Sequence, residues 1–140
     1  MVFRSLLGCY FALKEGTPLL GLEYTADSFQ VARRRDDIEL MARVVHDLSP
    51  CYILTGQFSK LLETSQYLIA LIEKTGKEHE SFGTQFNIYS WLNGLYGWSM
   101  GWRGNFAEGR PFLEKGLAFS AEIQHRRNLG VIALFFWVFQ

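Results

Sequence analysis

Proline is scarce in this chain, at three residues in 140, and cysteine scarcer still, at two. Cys9 and Cys51 form no CxxC pair, which excludes zinc-ribbon and thioredoxin-type sites. They read as free, partly buried thiols of a reducing compartment, hence a cytoplasmic location, with a disulfide between them as the open alternative. Charge of one sign is not in surplus: 14 Lys and Arg face 14 Asp and Glu. A nucleic-acid grip needs clustered excess cations, so no nucleic-acid partner is expected. The opening MVFRSLLGCYFALKEG lacks the apolar core and cleavage site of a signal peptide. The most apolar run, VIALFFWVF at 131–139, would rise roughly 14 Å as a helix, about half a bilayer core. It is read as a buried helix, and no membrane partner is expected.

Signatures of catalysis are also missing. His46, His79 and His125 form neither HExxH nor an i,i+4 pair, and no serine lies in GxSxG. The series Gly94, Gly97, Gly101, Gly104 is followed by no GK[ST] and preceded by no strand, so it fits close helix approach rather than phosphate binding. The expectation is a non-enzyme with no metal and no cofactor.

What is present is apolar and helical. The chain is 49% hydrophobic and 20% charged, outside the range of disordered sequences. Val, Ile and Thr do not gather into alternating runs, so no sheet is signalled. Gly16, Gly56 and Gly104 each separate an apolar stretch from an amphipathic one. Counted from these glycines, position +5 is Gly21, Leu61 and Gly109, and position +9 is Thr25, Ser65 and Leu113. Position +12 is Ser28, Leu68 and Gly116, position +13 is Phe29, Ile69 and Leu117, and position +16 is Ala32, Ile72 and Ser120. These steps share one face of a helix, so each glycine predicts a turn followed by a helix with one inward stripe. The pattern predicts one all-α domain over 1–140, with seven helices at 2–15, 17–34, 36–55, 57–75, 79–102, 105–123 and 126–140. Short links make neighbours antiparallel, giving stacked hairpins over 2–34, 36–75 and 79–123 with a partial fourth at 126–140. Pro50 should kink the third helix or mark its last turn. The run Arg33, Arg34, Arg35, Asp36, Asp37 fits a helix C-terminus meeting a helix N-terminus.

The stretch LYGWSMGWRGNFAEGRPFLEKGLAFSAE resembles a tetratricopeptide repeat, with Gly97, Met100, Gly104, Phe106, Gly109, Leu113 and Gly116 in the motif places. It departs at Asn93, where the family carries Trp, at Met100 in place of an aromatic, and at Gly109 and Gly116 in place of alanines. The phrase GQFSKLLETSQYLIALIEKTG is similar to divergent repeats found beside the catalytic modules of large bacterial adenylate cyclases and STAND-type ATPase regulators. The resemblance covers almost the whole chain. It implies a right-handed α-solenoid acting as a protein-interaction or scaffold module, a piece of a larger signalling or regulatory protein.

In that family's register Trp91, Trp98 and Trp102 fall on first-helix positions facing a concave groove. Their spacing of i, i+7 and i+11 places them within about 20–40° of one line on a helix. The same register puts Tyr10 and Lys14, then Arg43 and His46, on the concave side of the first two repeats. Such a groove would suit an apolar peptide or partner helix bearing acidic groups. Two other readings stand beside it: the Trp stripe packs on the next hairpin, or an aromatic-lined cavity senses a small molecule. The apolar last helix also suggests self-association through that end.

Overall fold

A computed structural model describes residues 1–137. Among them are seven helices and no strand: α1 (Val2–Leu13), α2 (Pro18–Arg34), α3 (Ile38–Leu54), α4 (Phe58–Thr75), α5 (Ile88–Trp102), α6 (Phe106–Glu122) and α7 (Arg126–Trp137). The expected end of the last helix at 138–140 lies outside the described residues. No helix among the described residues is long and apolar enough to cross a membrane.

The corners repeat with a simple rule. Residues with left-handed φ stand at 16, 36, 56 and 76, a step of 20, and then at 104 and 124 after one step of 28. Each of the corners at 16, 36, 56, 104 and 124 is followed by a helix that begins two residues later. At five of the six corners the next N–H reaches back five residues: Asp37 to the Ala32 carbonyl, Gln57 to Tyr52, Lys77 to Ile72, Asn105 to Met100 and His125 to Ser120, all at 2.8–3.1 Å. This is the Schellman closure of a helix C-terminus. Gly16 closes a turn one residue wider, with the Thr17 N–H bonded to the Phe11 carbonyl at 2.9 Å. The three glycines therefore do lie between successive helices. Asp36 and Gln124 occupy the intervening corners with φ of 51° and 54°.

The extra eight residues between Gly76 and Gly104 sit ahead of α5. Residues 79–87, expected as helix, are turns, and α5 starts only at Ile88. Phe82 and Gly83 both have positive φ, which a helix cannot absorb. Phe82 is buried, Asn87 caps α5 through the Ser90 N–H (2.9 Å), and its Nδ2 donates to the Glu78 carbonyl (2.8 Å). Pro50 lies inside α3, four residues before its last residue Leu54.

The chain forms two compact units, 1–61 and 62–140. In the first, α1 packs on α2 and α3, and α2 on α3. Small residues let α1 and α2 cross closely: a Cβ on Gly8 would stand 2.6 Å from the Gly21 carbonyl oxygen. Ser5 of α1 donates to the buried Asp47 of α3 at 2.7 Å. The core of this unit is Phe29, Ala32, Met41, Val44, Val45, Leu48 and Cys51. In the second unit α5 packs on α6 and α7, and α6 on α7. Its core includes Leu68, Ile72, Ile88, Leu92, Leu95, Leu113 and Ile132. Fully burying each such side chain contributes about 1.5–3 kcal/mol. Gly97 and Gly109 meet backbone to backbone at the α5–α6 crossing, leaving no space for a methyl group. Of the fifteen residues on the inward stripe counted from the three glycines, all are buried except Leu117, which is half-buried.

Candidate functional site

The two ends of the helices differ in chemistry, and the sequence dictates the difference. At the glycine corners the odd-numbered helices end on large apolar residues. Leu13, Leu54 and Trp102 are the last residues of α1, α3 and α5, and they are 56%, 51% and 58% exposed. Exposed apolar side chains also open the helices after two of these corners: Leu19 and Leu20 in α2, Phe106 in α6. The opposite corners are polar. Around Asp36 stand Arg33, Arg34, Arg35 and Asp37; around Gln124 stand Glu122, Arg126 and Arg127, all exposed. There the charges do local work. Arg33 and Arg34 close α2, and Asp37 caps α3 by accepting from the Leu40 N–H at 2.9 Å. A folding requirement explains the polar corners; it does not explain three exposed apolar residues at equivalent helix ends.

The residues expected to line a groove divide between the units. In the first, Tyr10 is exposed and donates its hydroxyl to Glu15 at 2.6 Å, which raises its pKa. Lys14 is exposed at the α1 terminus, and Arg43 is exposed on α3. His46 is half-buried, its Nδ1 3.5 Å from the Asp47 carboxylate. In the second unit Trp91 is only 7% exposed, its ring 6.4 Å from that of Phe86, so it offers packing rather than accessible surface. Trp98 is half-buried and stacked on Phe135 of α7 at 5.2 Å. Trp102 meets Trp98 edge-on at 5.7 Å and stays accessible. The Trp stripe thus runs from core to surface along α5.

Sequence reading missed a second feature, a cleft of about 400 Å³ in the second unit. Glu78, His79, Tyr89, Lys115, Ala118, Phe119 and Glu122 line it. Its aromatic wall is built by Phe119, whose ring lies 5.0 Å from Tyr89 and 5.1 Å from His79. Beside it Glu73 of α4 accepts from both the Tyr89 hydroxyl and the Lys115 ammonium, each at 2.7 Å. The Lys115 bond, followed by the Tyr89 bond, holds the Glu73 carboxyl below its ordinary pKa. Burial pushes the Tyr89 hydroxyl up. Partial burial works against the charged Lys115, yet its bonds to Glu73 and Tyr89 leave its pKa raised. The ammonium also lies 5.3 Å from the Tyr89 ring centre. The only hint in the sequence was the aromatic-lined cavity considered as an alternative, and that reading named none of these residues.

The two thiols are free, with Cys51 buried and Cys9 half-buried. Burial, then the neighbouring Asp47 and Cys51, push the Cys9 thiol up to about 11. No family model, no curated protein and no solved structure matches the chain.

Proposed function

We propose that this chain is a stretch of right-handed α-solenoid built from tetratricopeptide-like hairpins, and that it serves as a protein-interaction scaffold. A peptide or partner helix docks on the apolar residues at the glycine corners of a single unit, around Leu13 and Leu54 in the first or around Trp102 and Phe106 in the second. The observation that carries this reading is the recurrence of Leu13, Leu54 and Trp102, exposed at equivalent helix ends while the opposite corners are charged. Large exposed apolar side chains aligned by a repeat are what a docking partner covers. Lys14, next to Leu13 at the end of α1, would select a partner with acidic groups there, and Trp98 would floor the patch around Trp102.

The test is a peptide-display selection on the immobilised chain, followed by affinity measurement with Leu54→Ser and Trp102→Ser. Both side chains are at the surface, so folding and Tm should change little. The substitution in the unit that takes the peptide should weaken binding about tenfold or more, as removal of a central apolar anchor does. Unchanged affinity in both variants contradicts the reading.

A further inference from the structure

The cleft of the second unit has a charge balance that its own residues leave incomplete. Lys115 and Glu73 neutralise each other at 2.7 Å, and Tyr89 completes that carboxylate's bonding. Glu78 and Glu122 also line the cleft, and their carboxylates have no ion-pair partner among the described residues. Two acidic residues thus stand among the lining of an opening walled by the Phe119, Tyr89 and His79 rings. A neutral or anionic occupant would take water from those carboxylates and return nothing. A cation pairs with them and rests on the aromatic faces, and the Tyr89 ring already holds an ammonium in this manner. A volume of about 400 Å³ lies at the lower end of small-ligand sites. A planar guanidinium satisfies all three demands: it forks onto a carboxylate, stacks on a ring and fits the space.

We propose that the cleft formed by Glu78, His79, Tyr89, Lys115, Phe119 and Glu122 binds a guanidinium group. The site is independent of the apolar edge proposed above, and either can fail alone. An alkylguanidine and an arginine side chain share this chemistry, so two probes separate them: agmatine and N-acetylargininamide. Each is titrated into ¹⁵N-labelled chain, with N-acetylcitrullinamide as the uncharged isostere. The expected result is saturable shifts confined to residues 78–79, 89 and 115–122, no saturation with the citrulline compound, and tenfold or weaker binding in the Glu78→Gln/Glu122→Gln double variant, a factor of about 1.4 kcal/mol. Tighter binding of agmatine assigns a free metabolite, and tighter binding of the amide assigns a peptide arginine; either supports the proposal. Shifts scattered over the surface, equal response to the citrulline compound, or an unchanged double variant with a native spectrum would overturn it.

Discussion

At Gln124 the backbone holds φ at 54°, a conformation in which Cβ crowds the following carbonyl. Asp36 has the same geometry at 51°, with a shorter side chain that tolerates it better. Gly104 holds φ at 84° and nothing lies within 4 Å of the site where its Cβ would stand. Substitution there tests backbone conformation alone, free of steric contact. Gly104→Ala should therefore destabilise by about 1–2 kcal/mol. Gln124→Gly should stabilise by up to about 1 kcal/mol, because strain relief outweighs the added freedom of the unfolded chain. Urea titration of the two variants reads both signs; a stabilised Gly104→Ala would sink the corner geometry. Gly56 and Gly104 were legible in the sequence because glycine after an apolar run marks a helix stop. The junctions beside Asp36 and Gln124 were legible too, but not their left-handed φ, because neither residue type announces such a turn, and the 20-residue step stayed hidden without it.

The elements repeat this mixture. The inward stripes of α2, α4 and α6 followed from helical periodicity, since burial there depends only on which face turns inward. The link ahead of α5 did not, because its shape depends on a partner 41 residues away. Asn128 of α7 accepts from the Asn87 N–H at 3.0 Å and donates to the Asn87 carbonyl at 2.7 Å and to Ser90 Oγ at 2.6 Å. All three residues are buried, so the N-terminus of α5 is satisfied by a side chain from another helix. His125 in turn accepts from the Asn128 N–H at 3.3 Å and caps α7. Asn128→Ala strands buried polar groups and should cost about 2–4 kcal/mol. Its neighbour Arg127, exposed and paired with Gln85, should cost less than about 0.5 kcal/mol when changed to Ala. Equal losses in chemical denaturation would show that the buried network is not what anchors α5.

For the molecule as a whole, the repeated corner sorts residues by chemistry. Every second corner joins an odd helix to the next even one through glycine and carries exposed apolar side chains. The intervening corners carry charge and helix caps. That alternation is half visible in the sequence: the charge run at 33–37 marks a helix junction, while nothing in the sequence sets Leu13 and Leu54 apart from other apolar residues. A residue's exposure depends on where neighbouring helices stop, which periodicity along one helix does not report. The Trp stripe illustrates the same limit, with Trp91 inside, Trp98 stacked on α7 and Trp102 at the surface.

The most direct test is a cross-saturation NMR map of the chain bound to a selected peptide. Saturation passing to the Leu13 and Leu54 methyls of the first unit or to the Trp102 indole of the second, with Arg34, Arg35 and Arg126 untouched, is the result expected if the apolar residues at the glycine corners are the docking surface. Saturation centred on the charged corners, or on the outer faces of α2, α4 and α6, would contradict it.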